Sequence, residues 1–178
     1  MRLFVGIMTP AAIDDALDAV LDPAYVARAR EAGLDRWTPR EERHITLRFV
    51  GATDADAAIE RATAAAAAMS DAPALVIGPH AVQLTSRVVA FPVAGAADLA
   101  AVLDAALVPA GIPTRDRPFT GHLTIARSRR RLRPGQLGEA LSHPALAIPW
   151  APPALEVVQS VPGEGPRYRV LAAFPFTG

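Results

Sequence analysis

His44-Ile45-Thr46-Leu47-Arg48-Phe49 and His122-Leu123-Thr124-Ile125-Ala126-Arg127 are two short apolar runs, each with a His and a Thr two residues apart. Successive strand side chains point to opposite faces. His44 and Thr46 therefore share one face, and Ile45 and Leu47 the other; His122 and Thr124 stand in the same relation to Leu123 and Ile125. Each run predicts a strand that offers an imidazole and a hydroxyl on one side and buries aliphatic groups on the other. Two imidazoles and two hydroxyls facing one cleft suit an oxyanion such as a phosphate, with one His to take a proton and one to give it.

Around these runs the chain alternates strand and helix patterns. Residues 3–7 read as a strand. Thr9-Pro10 opens a helix, with Thr9 as N-cap and Pro10 at the first helical position. Ile13, Leu17, Val20 and Leu21 repeat at helical spacing. Asp22-Pro23 breaks this helix or starts a second one over 24–32 that ends at Gly33, and Trp37 lies in a short extended piece. The first motif strand spans 43–50, and Asp54 is placed to cap an Ala-rich helix over 55–69. A strand over 74–77 and a hairpin of 81–84 with 87–93, turning at Thr85-Ser86, come next. A helix over 96–108 and a Pro- and Gly-rich loop over 109–118 lead to the second motif strand, 122–127. A short helix over 136–141 and strands over 145–148, 154–160 and 168–174 close the pattern.

An internal repeat is visible. Leu3-Phe4-Val5-Gly6-Ile7, followed by Ile13, Leu17, Asp18 and Leu21, resembles Val89-Ala90-Phe91-Pro92-Val93, followed by Leu99, Leu103, Asp104 and Leu107. Both copies lead to a His-x-Thr strand. The expected architecture is α+β: two pseudo-symmetric lobes, each an antiparallel sheet with flanking helices, with the cleft between them. Residues 1–178 then form a single bilobal domain of ordinary size.

Composition narrows the chemistry. Hydrophobic residues make up 51% of the chain, enough for a sizeable core. No apolar run reaches the roughly 18 residues of a membrane span, and the N-terminal apolar run is too short for a signal peptide. A cytoplasmic protein with no membrane partner is the expectation. There is no Cys, which excludes disulfides and thiolate chemistry. There is no Lys either, so a Schiff base, a lysyl-adenylate and a Walker-type phosphate loop are all excluded. The formal net charge is zero, so contact with nucleic acid must come from a local basic patch.

A lone His in an apolar strand is more often packed or hydrogen-bonded than catalytic. A matched pair at corresponding places of a repeat is hard to assign to packing. Metal binding is the other plain reading, but hydrolytic zinc sites usually take three protein ligands. The in-face neighbours are Glu42 and Arg48 at the first His, Thr120 and Ala126 at the second. No three-ligand set is legible, so no metal and no cofactor is expected. His80 and His143 each adjoin a Pro and lack the partner Thr; they read as surface residues.

The paired motifs resemble the 2H phosphoesterase superfamily, and within it the bacterial and archaeal RNA 2′,3′-cyclic phosphodiesterases, historically called 2′-5′ RNA ligases. The resemblance extends to Arg2-Leu3-Phe4-Val5-Gly6-Ile7, to Trp37, to His44 through Gly51, and to Ser160 followed by Gly165-Pro166-Arg167-Tyr168. Gly121 departs from it, standing where the family usually has Pro. The resemblance implies a metal-independent opening of a 2′,3′-cyclic phosphate at an RNA 3′ end, leaving a 2′-phosphate. It implies His44 as proton donor and His122 as proton acceptor, an order the residues alone leave open. Thr46 and Thr124 would hold the non-bridging oxygens, and Arg127 would add a cationic phosphate contact. Five residues after His122, Arg127 faces away in an unbroken strand and needs a bend to reach the cleft. Phe49 is a candidate to stack on a base, as are Trp37, Phe119 and Tyr168. Arg130, in the basic run Arg127, Arg129, Arg130, Arg131 and Arg133, is a candidate backbone contact. The expected partner is an RNA end bearing the cyclic phosphate, met by a monomer. Two other readings stay open: a small cyclic phosphate such as that of ADP-ribose, and an RNA-end binder without turnover.

Overall fold

The computed structural model describes residues 2–51, 55–68, 71–110, 112, 115–161 and 167–176. The His-x-Thr runs are β3 (His44–Gly51) and β7 (His122–Arg127). They lie side by side in the middle of a curled antiparallel sheet, joined through the single pair Ile45 and Leu123. On one side of this seam come β1 (Arg2–Met8), β9 (Ala154–Ser160) and β10 (Tyr168–Pro175). On the other come β6 (Val88–Ala94), β4 (Leu75–Ile77) and β8 (Ile148–Trp150). Two short strands complete the sheet: β2 (Arg36–Trp37) pairs with β7, and β5 (Val82–Thr85) with β6. Each half therefore has four main strands, with a motif strand of each half at the seam. This is the two-lobed α+β architecture expected from the repeat.

The helices cross between the halves. Helix α1 (Ala11–Val20) leaves β1 and packs against β8 of the other half. Helix α4 (Ala97–Leu107) leaves β6 and packs against β3 and against α3 (Ala55–Ala68), which also covers β9, β10 and β1. Helix α2 (Pro23–Glu31) packs against a 3₁₀ turn, Gly138–Leu141. One continuous apolar core results, running from Leu3, Val5 and Ile7 through Ile45 and Leu123 to Phe91 and Leu103.

The structure shifts several sequence expectations. The N-cap of α1 is Pro10, not Thr9; the Thr9 hydroxyl donates to the Asp14 carboxylate at 2.9 Å and so ties the turn sideways. The N-cap of α2 is Asp22, which accepts from the Tyr25 N–H at 2.7 Å. The short helix expected over 136–141 is only a 3₁₀ turn. The hairpin turns at Ser86 and Arg87, one residue later than expected. The strand expected over 145–148 is displaced to β8, where Pro149 pairs with Val76. A strand proline is tolerated here because β8 is the edge of its sheet. Trp150, next to it, is buried opposite Leu75. His143 is half-buried, not superficial: its ring packs on Tyr25 and Phe91, and its Nε2 accepts from the Ala81 N–H. Asp54 and Met69, the expected limits of the Ala-rich helix, lie outside the described residues, as do Gly165 and Pro166.

The repeat is present with a corrected register. Ile7 pairs with Ile45, and Phe91 with Leu123. Ile7 therefore corresponds to Phe91, two residues from the alignment read in the sequence, because strand pairing and not side-chain type decides the match. The corrected register exposes a further symmetry. Val5 pairs with Arg48 and Gly6 with Thr46, leaving Leu47 as an extra residue. Val89 pairs with Ala126 and Ala90 with Thr124, leaving Ile125 as an extra residue. Both motif strands thus carry a bulge at the same place, directly after the Thr.

Candidate active site

Antiparallel counting from the Ile45–Leu123 pair sets His44 opposite Thr124 and Thr46 opposite His122. All four line one cleft of about 350 Å³. The two imidazoles are held alike. His44 Nδ1 lies 2.7 Å from the Glu42 carbonyl oxygen, and His122 Nδ1 2.8 Å from that of Thr120. A carbonyl only accepts, so Nδ1–H donates in both rings and both Nε2 atoms are left free for chemistry. Glu42 thus contributes its backbone to the site. Among the described residues the Thr46 and Thr124 hydroxyls have no protein partner, so both are free to donate to a bound oxyanion.

The two rings differ in their surroundings. Phe4 and Tyr168 pack on His44 with ring centroids 4.7 Å away in each case. Among the described residues no ring packs on His122. Burial lowers the pKa of His44 from its ordinary 6.5; the Glu42 carbonyl opposes this, and the charges of Arg127, His122 and Arg167 add to it. Burial of this ring therefore favours its neutral form.

The bulges decide which later residues face the cleft. A bulge inserts one residue and re-aims the side chains beyond it. After the bulge at Ile125, Arg127 returns to the His face and lines the cleft, which supplies the bend the sequence left open. After the bulge at Leu47, Phe49 does the same and stands 71% exposed. Arg48 is turned the other way, to Asp104 of α4 at 3.5 Å. A neighbouring groove of about 930 Å³ shares Thr46, Phe49 and His122 with the cleft and continues past Phe119 and Arg117.

Behind the first motif, Arg43 anchors the entry to β3. It is buried and reaches Asp14 at 3.3 Å and Asp18 at 2.6 Å on α1. Next to His122, a Cβ at Gly121 would come within 2.2 Å of the Val93 carbonyl oxygen. That contact explains why a glycine stands where the resemblance leads one to expect proline.

The structure brings together His44, Thr46, Phe49, His122, Thr124, Arg127 and Tyr168. It does not bring Arg130, which lies in the loop after β7 outside the cleft lining. Trp37 is half-buried, with its ring edge-on to Tyr25, and Phe119 is covered by the Arg115 guanidinium. Six lining residues were given no site role in the sequence: Arg2, Leu3, Phe4, Arg36, Ser160 and Arg167. Arg36 could have been found only from its pairing with Arg127, and a two-residue strand leaves no periodicity to read. Among the described residues no three His, Cys, Asp or Glu side chains cluster as a metal site. No described helix is long and apolar enough to cross a membrane.

Comparison with known proteins bears on the fold and the family. The chain superimposes on the crystal structure of TT0787 of Thermus thermophilus with a TM-score of 0.75 at 23% identity, covering 100% of this chain and 99% of that one. It superimposes on E. coli LigT complexed with 3′-AMP with a TM-score of 0.69 at 25% identity, covering 99% and 98%. The PDE domain of MHV ns2 has the same fold, with a TM-score of 0.59 at 15% identity, covering 89% and 99%. None of the curated proteins matches the chain in sequence. The family model of the 2′-5′ RNA ligase superfamily matches residues 16–163, a span that holds both His-x-Thr strands. The chain belongs to the 2′-5′ RNA ligase superfamily, the 2H phosphoesterases.

Proposed function

We propose that the protein hydrolyses 2′,3′-cyclic phosphates at RNA 3′ ends to 2′-phosphomonoesters, without a metal or cofactor. One observation carries this reading: two imidazoles with Nδ1 tied to the backbone and Nε2 free line one cleft, each opposite a Thr hydroxyl. In-line displacement at phosphorus places attacking and leaving oxygens on opposite sides, so base and acid must flank the phosphate. His122 Nε2 takes a proton from water as the new P–O bond forms. The P–O3′ bond breaks, and His44 Nε2 gives its proton to the 3′ oxygen. Thr46, Thr124 and Arg127 hold the non-bridging oxygens, where charge accumulates.

The lowered pKa of His44 suits a proton donor. A bound anionic phosphate favours the imidazolium, and a group that binds its proton weakly at rest releases it readily. Phe49 offers a platform for the base of the terminal nucleotide. E. coli LigT forms complexes with 3′-AMP and with ATP, which supports a nucleotide as the class of ligand. Both His come from one chain, so a monomer holds the whole constellation.

The test is an oligoribonucleotide ending in a 2′,3′-cyclic phosphate, incubated with EDTA, with identification of the product. The expected product is a 2′-phosphate end. His44→Ala and His122→Ala should each lower kcat by at least about a hundredfold while the protein stays folded. Turnover only with added divalent metal, or near-normal activity in either variant, would overturn the reading. Hydrolysis of a small cyclic phosphate that oligonucleotides do not inhibit would move the substrate from RNA to a small nucleotide.

A further inference from the structure

The cleft carries more positive charge than one cyclic phosphate requires. Arg2, Arg36, Arg127 and Arg167 all line it, and no carboxylate does so among the described residues. None of the four makes an ion pair or a side-chain hydrogen bond to another described residue. Elsewhere in the protein the arginines facing α1 and α4 are matched: Arg40 and Arg43 to Asp15, Asp14 and Asp18, and Arg48 and Arg115 to Asp104. Unmatched guanidiniums in one concavity repel one another and are stabilised by an anion that bridges them.

The four fall into two sets by topology. Arg36 and Arg127 are direct partners across β2 and β7, on the His122 side of the seam. Arg2 and Arg167 lie on the other side of β3. Ser160 of β9 pairs with Arg2 of β1 and with Tyr168 of β10, so Arg2, Ser160 and Tyr168 stand in a row with Arg167 beside them. The Phe4 and Tyr168 rings on His44 lie in this same part of the cleft. The cyclic phosphate is already surrounded by two His, two Thr and Arg127, which leaves the Arg2 and Arg167 set over.

We propose that Arg2, Ser160 and Arg167 form a second anion subsite that takes the phosphate on the 5′ side of the terminal nucleotide. It rests on the cyclic-phosphate reading for the occupant of the first subsite. The substrate class it implies is a nucleoside cyclic phosphate with another phosphate attached through its 5′ oxygen, either an RNA phosphodiester or a small nucleotide's 5′-phosphate. A nucleoside cyclic phosphate with a free 5′ hydroxyl would leave the subsite empty.

Binding tests this apart from catalysis. Calorimetry at fixed low ionic strength compares adenosine 2′-phosphate, adenosine 2′,5′-bisphosphate and the dinucleotide ApA with a 2′-phosphate end. The wild type should bind the bisphosphate or the dinucleotide about tenfold tighter than the monophosphate. Preference for the dinucleotide marks an RNA strand as the source, and preference for the bisphosphate a small nucleotide. Arg2→Gln/Arg167→Gln should erase that advantage and leave monophosphate binding within about threefold of wild type. Arg30→Gln/Arg133→Gln removes the same charge outside the cleft and should keep the advantage. Equal binding of all three ligands by the wild type would overturn the proposal. So would equal losses for all ligands in the Arg2→Gln/Arg167→Gln variant, loss of the advantage in Arg30→Gln/Arg133→Gln, or its loss in Arg36→Gln instead. If the wild type shows the advantage but hydrolyses no cyclic phosphate, the subsite stands and the hydrolytic reading falls.

Discussion

His44 shows how a single residue's neighbours set its chemistry. Burial between Phe4 and Tyr168 disfavours the imidazolium, the Glu42 carbonyl favours it, and Arg127, His122 and Arg167 disfavour it again. The balance lies below the ordinary value of 6.5. In the folded protein His44 therefore holds fewer protons than in the unfolded chain as pH falls through that value. Stability from this group is fully present above the unfolded pKa and is lost as pH falls through the folded one. Urea midpoints of the wild type should drop over that window, and His44→Gln should flatten this part of the dependence. The same residue can be followed directly by NMR. Its titration should lie below 6.5 in the free protein, rise in Arg127→Gln, and rise when inorganic phosphate is added, since an anion at Nε2 favours the charged ring. A midpoint unmoved by phosphate would mean that the anion does not sit against His44.

At the scale of elements, the matched bulges turn two equivalent strands into unlike halves of one site. The positions after the bulges are Phe49 in β3 and Arg127 in β7, both facing the cleft. The symmetric cage of two His and two Thr thus receives an aromatic platform on one side and a cation on the other. This gives the substrate a direction: base toward Phe49, phosphate charge toward Arg127. Phe49→Ala should raise KM for an adenosine cyclic phosphate about tenfold, the worth of one base–aromatic stack, and leave a base-free ribose cyclic phosphate unaffected. Arg127→Gln should lower kcat/KM for both by about ten- to a hundredfold, because it loses a charge-assisted contact common to both. Equal losses on the two substrates in Phe49→Ala would give that ring a structural role only. These bulges also mark the limit of what the sequence discloses. Alternation around His44 and His122 shows the strands and the faces of the four cage residues. Leu47 and Ile125 look like ordinary inward residues, and only the pairing with β1 and β6 reveals them as the extra ones. For the same reason Arg36 is invisible in the sequence and the repeat reads two residues out of register there, while β8 escapes because Pro149 disguises an edge strand.

At the scale of the whole molecule, the relative placement of two halves is the catalytic geometry. His44 and His122 belong to different halves, and the sheet joins those halves through the single pair Ile45 and Leu123. Crossing helices brace the joint, α1 reaching β8 and α4 reaching β3, so the core passes through the seam without a break. The repeated strand-helix-strand pattern makes two lobes legible, whereas the exchange of helices depends on long-range packing that no local period records. Ile45 and Leu123 are each fully buried one residue from a His, with their side chains on the core face. Leu155, in β9, is as deeply buried but lies away from the seam. Ile45→Ala, Leu123→Ala and Leu155→Ala should each cost about 2–5 kcal/mol of stability, the range for emptying a well-packed site. Activity should separate them. The two seam variants should lose kcat beyond what the folded fraction explains, since a shift of about 1 Å between acid and base costs on the order of a hundredfold. Leu155→Ala should keep the kcat of its folded fraction. Stability energies of Ile45→Ala and Leu123→Ala should also fail to add, because the two side chains meet across the joint. Additive stabilities with undiminished kcat would mean that the helices alone hold the two halves in register.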